Sequence, residues 1–299
     1  MKKYSILVLL LIASIGFLNA QNVGTKLVLL GTGTPFADPN KSGPSLAIIV
    51  NNTSYIVDCG PGIVRRAAHS KELGFPSLEA SNLKTLFITH LHSDHTIGLA
   101  DIILTPAVLD RNAPITIFGP AGIKKMTENT IAAFKEDIDM RINGLEKGDA
   151  IAYHVNTNEI KEGEIYKDSN ITVTAFNVKH GQWENAFGFV FQTKDKKIVV
   201  SGDCTYSENL IKYAKDCDIL VHEVYSDAGL KKRTQRWQDY HSAFHTSTFQ
   251  LADIANKVKP KLLILNHQLT FGSSLQSVLD EVKSKYTGAV VNGADLDVY

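Results

Sequence analysis

The sequence predicts an α/β fold, because short apolar runs of strand length recur along the chain and alternate with segments of helical spacing. A second observation concerns where the polar residues fall. Metal-capable side chains sit at the ends of several apolar runs, and the densest group of them follows one run directly. With 299 residues and 44% hydrophobic side chains, the chain can bury a sizeable core, as one large domain or two smaller ones.

Met1-Lys2-Lys3, the apolar stretch Tyr4 to Phe17 and the small-residue site Leu18-Asn19-Ala20 read as a secretory signal peptide over residues 1–20. The stretch is short for a membrane span and no stop-transfer pattern follows. The expectation is a domain at 21–299, periplasmic or secreted, with no membrane span after cleavage. Strands are expected at Thr25–Leu30, Ser45–Val50, Ser54–Asp58 and Leu83–Thr89, each an apolar run bounded by turn-forming residues. A helix is expected over Gly62–His69 and another from about Ile97, followed by strand Ile115–Phe118 and a helix near Ile123–Phe134. The polar, Gly- and Lys-bearing segments Asn143–Asp149 and Asn156–Asn170 read as turns between strands. The second half continues with strands Ile171–Val178, Phe187–Thr193, Ile198–Ser201, Ile219–His222 and Leu262–Asn266. Helices are expected at Thr246–Val258, where Leu251, Ala252, Ile254 and Ala255 have the spacing of a packed face, and at Ser274–Tyr286.

His90-Leu91-His92-Ser93-Asp94-His95 places four metal-capable side chains in six positions, directly after the apolar run Leu86-Phe87-Ile88-Thr89. Imidazole nitrogens and a carboxylate together suit Zn²⁺ and similar divalent ions. His180, Asp203 and His267 each close a later strand-like run, so their strand ends can converge at one sheet edge. Asp58, after Tyr55-Ile56-Val57, reads from local sequence as a strand-end turn residue before Gly60-Pro61-Gly62. Gly31-Thr32-Gly33-Thr34-Pro35 lacks the Lys and spacing of a phosphate loop and reads as a tight turn beside the site.

Thirty-one basic and thirty-one acidic residues give a formal net charge of zero, which lends no general support to nucleic-acid binding. The one basic cluster, Lys231-Lys232-Arg233 with Arg236, reads as a solvated face or loop. Cys59, Cys204 and Cys217 have no zinc-ribbon spacing; two of them flank Asp58 and Asp203, and one disulfide among the three is open. His69, His154 and His241 lack a motif context and read as surface or packing histidines.

The order His-x-His-x-Asp-His, then single His, Asp and His, resembles the metallo-β-lactamase superfamily from about Leu27 to the C-terminus. Gly31–Pro35 and the Tyr55–Gly62 segment resemble its tRNase Z and arylsulfatase-like branch more than the true β-lactamases. The resemblance implies a four-layer αβ/βα sandwich with two metals at one edge of the sheets. His90, His92 and His180 would bind the first metal. Asp94, His95 and His267 would bind the second, with Asp203 and a water or hydroxide bridging. Asp58 resembles the carboxylate that orients a ligand histidine in this family, a second reading beside the turn residue. Zn²⁺ leads on ligand type, with Mn²⁺ or Fe possible. Glu223 and His245 match a pair that protonates the departing oxygen in this branch, and Asp94 is expected to serve in catalysis as well as in binding. A carboxylate beside His245 would raise its pKa and keep the proton available near neutrality.

Residues 181–202 leave no room for the protruding arm that tRNA-processing members often insert there to grip tRNA. Asp203 stands where true β-lactamases usually have Cys or His. The leading expectation is therefore an exported dinuclear-metal hydrolase of small anionic sulfate or phosphate esters, similar to the arylsulfatase-like members. No stable nucleic-acid partner is expected, and a homodimer is open. The alternatives are a tRNase Z-type phosphodiesterase or ribonuclease, a lactonase or β-lactamase-like hydrolase, and a non-catalytic metal-binding protein.

Overall fold

The computed structural model describes residues 24–299, so the expected signal peptide over residues 1–20 lies outside the described residues. Thirteen strands among these form two sheets. The first runs in the order β1 (Lys26–Gly31), β2 (Ser45–Val50), β3 (Thr53–Val57), β4 (Thr85–Phe87), β5 (Ile115–Gly119), β6 (Val155–Glu159). The second begins with β7 (Gly163–Lys167), β8 (Ile171–His180), β9 (Trp183–Thr193) and β10 (Lys197–Val200), then continues through β11 (Ile219–Tyr225), β12 (Leu262–Leu269) and β13 (Val290–Asn292). Both sheets start with antiparallel hairpin neighbours and finish with parallel pairs.

Alternation along β1 explains the layering. Leu27 and Leu29 join Val173, Phe189, Phe191 and Ile264 in a core between the two sheets. Val28 and Leu30 instead pack outward with α1 (Ile63–Glu72) and α3 (Leu99–Val108), which lies beyond the four-residue α2 (Ser93–Thr96). A strand buried on both faces must read as a continuous apolar run, which is why these strands show in the sequence. Helices α4 (Ile123–Ala133) and α5 (Lys135–Asn143) complete the first half. In the second half α6 (Glu208–Ala214), α7 (Asp227–Leu230), α8 (Gln235–Phe244), α9 (Thr248–Val258) and α10 (Leu275–Lys283) follow. The buried faces of α6, α9 and α10 cover the second sheet through Leu210, Leu251, Ile254, Val278 and Val282. The expected four-layer αβ/βα sandwich is the one observed.

The differences from expectation are physical. Asn156–Asn170, expected as turns, contains β6 and β7, polar strands that are hydrogen-bonded on one side and largely wet on the other. Helix α8 is mostly polar and buries only Phe244, so it carries no apolar stripe to read. The strand expected at Leu83–Thr89 shortens to Thr85–Phe87, which frees Ile88 and Thr89 to lead into the donor cluster. No helix among the described residues is long and apolar enough to cross a membrane.

One edge gathers the carboxyl ends of the parallel strands, where open α/β sheets place ligands. Asp58 follows β3, residues 90–95 follow β4, Asp203 follows β10, and Glu223 and His267 lie near the ends of β11 and β12.

Candidate metal centre and its cleft

The chain leaves β3 with Asp58 at φ 59, a left-handed conformation that costs a non-glycine residue roughly 1 kcal/mol. The turn aims the carboxylate at the end of β4. Oδ1 accepts the Thr89 backbone N–H at 2.8 Å, and the Thr89 hydroxyl lies 3.1 and 2.9 Å from the two oxygens. Oδ2 accepts from His95 Nδ1 at 2.8 Å, so that ring presents Nε2 to the site. Of the two readings open for Asp58, the structure takes the orienting one.

His90 Nε2 and His180 Nε2 stand 3.1 and 3.0 Å from His92 Nδ1. A single proton bridges one pair of such nitrogens, whereas a cation satisfies all three. The tautomer of His180 is fixed from behind, since its Nδ1–H donates to the Phe244 carbonyl at 2.7 Å. The Thr89 hydroxyl holds His90 Nδ1 at 3.0 Å, and the Trp183 indole nitrogen lies 2.7 Å from His92 Nε2. Trp183 thus packs against a histidine of this group, its ring centroid 5.0 Å from that of His92.

Asp94, His95 and His267 form a second group. His267, at φ 43, brings Nε2 to 3.1 Å from Asp94 Oδ2, and His95 Nε2 lies 3.5 Å from the same oxygen. Asp203 stands between the groups, with Oδ1 3.4 Å from His95 Nε2 and Oδ2 3.6 Å from His267 Nε2. All seven expected donors therefore meet, in groups whose ligand atoms lie within 4.8 Å of one another. His95 Nε2 is buried without a hydrogen-bond partner, an orphaned lone pair in a donor set of nitrogen and hard oxygen. That chemistry fits a divalent cation.

Charge follows the geometry. Burial pushes the His90 and His180 rings down, His180 to about 4. Burial opposes protonation of His95 and His267 too, but Asp203 beside them outweighs it and raises both. Asp203 is buried, which opposes its charge, yet His267 and His95 hold its carboxyl well below the ordinary range. Burial pushes the Cys59 and Cys204 thiols well up and Cys217 to about 12. All three are free and buried, and as protonated thiols they are poor metal ligands.

Glu223 Oε1 lies 3.3 Å from His245 Nδ1, which is buried without a hydrogen-bond partner, and accepts the backbone N–H groups of Cys204 and Thr246 at 3.2 and 3.0 Å. His245 Nδ1 also faces Asp203 at 3.8 Å. The expected rise in the His245 pKa is not found. Burial pushes that ring down to about 4, and burial with Asp203 raises the Glu223 carboxyl well above its usual range. Both shifts favour neutral forms, the ordinary consequence of burial. His222, next in sequence, turns away and bonds the Glu223 carbonyl from Nδ1 at 2.6 Å.

A cleft of about 870 Å³ opens over this floor, reaching His92, Asp94, Asp203, His245 and His267. Its rim includes the Gly31–Pro35 turn. Gly31 is required there, because a Cβ would meet the Gly43 carbonyl oxygen at 2.0 Å. Asp295, in the C-terminal tail, clamps the rim by accepting from the Thr32 and Ser42 backbone N–H groups at 2.8 and 2.7 Å. The other wall comes from Arg233, Trp237, Tyr240, His241 and Phe271. His241, read as a surface or packing histidine, lines this wall, and Arg233, exposed on a loop as expected of its cluster, lines it too. The only trace of that wall in the sequence is the aromatic content of residues 225–240.

A family model described as the beta-lactamase superfamily domain matches residues 53–268. A ribonuclease Z from Mycobacterium bovis is 30% identical over 254 residues, covering 81% of this chain and 85% of that protein. This chain belongs to the ribonuclease Z branch of the metallo-β-lactamase superfamily. Among solved structures, the metallo-β-lactamase fold protein YhfI from Bacillus subtilis aligns with TM-score 0.71 at 18% identity, over 92% of this chain and 99% of that one. The short form of human tRNase Z aligns with TM-score 0.66 at 22% identity, over 92% and 98%.

This ribonuclease Z-branch protein is a metal-dependent hydrolase acting on ester bonds. Its fold implies divalent-metal binding, and the histidine and aspartate groups above offer the donors. Three expectations are corrected. An exported arylsulfatase-like hydrolase gives way to the tRNase Z alternative, because the curated relatives that cover most of the chain are named Ribonuclease Z. A small anionic ester as substrate, with no nucleic-acid partner, falls on the same finding. Whole-chain neutrality averages over the surface and conceals Arg233 on the cleft wall. The periplasmic or secreted location is withdrawn as well. It rested on residues 1–20, outside the described ones, whereas the curated relatives that cover most of the chain are named Ribonuclease Z.

Proposed function

We propose that the chain is a ribonuclease Z-type phosphodiesterase that cleaves RNA at the floor of the 870 Å³ cleft. The observation that supports this reading most is the meeting of His90, His92 and His180 with the Asp94–His95–His267 group around Asp203, beside His245 and Glu223. In this reading the first three residues hold one cation and the second three another, with Asp203 shared. Two Zn²⁺ ions suit the donors best, and Mn²⁺ or Fe would also be accepted. When bound, such cations would offset negative charge on the phosphoryl oxygens and make a water nucleophile available near neutral pH.

The remaining work falls to the protein's own groups. Asp58 keeps His95 in one tautomer and one orientation. The phosphodiester lies within reach of His245, whose ring carries the proton to the departing oxygen, because an alkoxide leaves poorly without one. Glu223, anchored by two backbone amides and kept neutral by burial and by Asp203, stands 3.3 Å from that ring and would replace the proton the ring gives up. Arg233 and Lys41 on the cleft walls draw the phosphate backbone inward. The interval between His180 and Asp203 is filled by β9 and β10, so the grip on RNA comes from the cleft walls and not from an inserted arm.

Purified protein loaded with zinc is assayed on a labelled tRNA transcript and on single-stranded RNA. Cleavage that stops with chelator and returns with zinc is expected. Absence of cleavage on every RNA, with metal bound, would overturn the reading.

A further inference from the structure

Off the main cleft, Arg233, Trp237, His241 and Phe271 line an open side pocket of about 290 Å³. All four also line the main cleft, so the two spaces communicate. We infer that this side pocket is a stacking subsite for the nucleobase of the leaving nucleotide, an inference that rests on the proposed RNA cleavage.

Position comes first. Trp237 and His241 are one turn apart on α8, their rings 5.6 Å apart and nearly parallel at 26°. His241 in turn lies 5.7 Å from His245, the residue assigned to protonate the departing oxygen. A nucleoside carried by that oxygen therefore arrives at this pocket and not at the opposite rim.

The walls are those a base needs. Phe271 packs against His241 at 4.5 Å, held by a loop in which Phe271 and Gly272 both take positive φ, 50 and 90. A non-glycine residue persists in that conformation only where its surroundings enforce it. Trp237 remains 46% exposed and Tyr240 40%, which core packing does not explain. The Arg233 guanidinium stands 5.8 Å over Phe271, and Arg236 stands 5.6 Å over Trp237. Cations over aromatic faces beside an opening suit a base whose own phosphate lies near. His241 Nδ1 is buried without a hydrogen-bond partner, a polar handle for a base edge in a pocket that Arg233 also lines. The volume is below what a drug-sized ligand fills and accommodates one ring system. Because every base has a π-face, the subsite would accept any base.

The test uses the zinc-loaded full chain and two RNA oligonucleotides that differ only in the leaving nucleotide, one bearing its base and the other abasic. Trp237→Ala is expected to lower kcat/KM on the base-bearing RNA about tenfold, chiefly through KM, and to cost far less on the abasic one. Trp237→Phe, which keeps a stacking face, should recover most of the loss. Unchanged metal content and melting temperature show that each variant is folded. Equal losses on the two RNAs, or no loss on either, overturn the subsite while leaving RNA cleavage standing. Failure of the unsubstituted protein to cut either RNA overturns both.

Discussion

The first sheet delivers four donors from a single six-residue segment, whereas the second delivers His180, Asp203 and His267 singly, from the neighbourhood of three different strand ends. In the first case the geometry is local: a short strand, the four-residue α2 and the Asp58 brace set every ring. In the second it is global, because each donor depends on the register of a strand within a seven-stranded sheet. A local cluster can be weakened one residue at a time. A donor that joins both groups should behave differently, and Asp203 is that donor.

The largest effect is expected there. Replacing Asp203 with Ala removes the carboxylate that stands between the two donor groups and the largest single charge raising His95 and His267. Loss of metal-assisted charge stabilisation worth several kcal/mol predicts a fall in kcat on the order of a thousandfold or more. Metal analysis should show depletion of both sites. Retention of two metals with a rate within tenfold of wild type would mean that the two halves do not depend on Asp203.

His245→Ala comes next, because it removes a proton donor while leaving the seven metal-facing residues in place. RNA cleavage should fall about 10²–10⁴-fold, the range for a lost general acid. An aryl phosphodiester with an activated leaving group should lose much less. The ratio of the two losses is the measurement, and a ratio near one would remove the acid role from the pair with Glu223.

The same contrast explains what the sequence could and could not reveal. Residues 90–95 are legible because all four donors occur together, whatever the fold does later. Asp203 and His267 are legible because each lies at or near the end of an apolar run buried on both faces, and His180 because it closes a strand that alternates with period two. The cleft wall is different. Trp237 and His241 sit on a helix that buries only Phe244, and Phe271 sits on a loop, so no periodicity marks them. Edge strands β6 and β7 escape for a related reason, since half their surface is wet and their residues are polar. The protonation state of His245 is also invisible in sequence: an acidic neighbour is easy to see, and the burial that outweighs it is not.

Asp58→Asn sharpens the comparison within the first half. The amide keeps the shape but lacks the charge, and it can hold the His95 ring in the wrong tautomer. Loss of such a supporting carboxylate typically costs about 10–100-fold in metal affinity or activity. The group around Asp94 and His95 should weaken while the His90–His92–His180 group retains its metal. Zinc titration resolved into two binding steps checks this, and equal weakening of both steps would show that the six-residue segment acts as one unit.

The smallest effect is expected far from the site, where the two sheets are tied by Asp168. Its carboxylate accepts from Tyr55 of β3 at 2.6 Å and from Tyr166 of β7 at 2.9 Å, and from two backbone amides besides. Asp168 precedes β8 and His180 ends it, so a ten-residue strand of about 30 Å separates this tie from the metal centre. Burial opposes the charge on Asp168, but these hydrogen bonds outweigh it and hold its carboxyl below the ordinary value. Burial and the neighbouring carboxylate raise the Tyr166 hydroxyl to about 12, so it remains a donor throughout the acid range. The folded state then binds fewer protons than the unfolded chain in the acid range, so stability rises with pH there. The contribution is complete above the unfolded aspartate pKa of about 3.9 and is lost as pH falls through the lower folded value. Half exposed, the tie is worth roughly 1 kcal/mol after solvent screening. Asp168→Asn should lower the melting temperature by about 2 °C at pH 7, as expected for a domain of this size, and by progressively less toward pH 3. Melting curves that stay parallel from pH 7 to pH 3 would show that the sheets are held together at that end by packing alone.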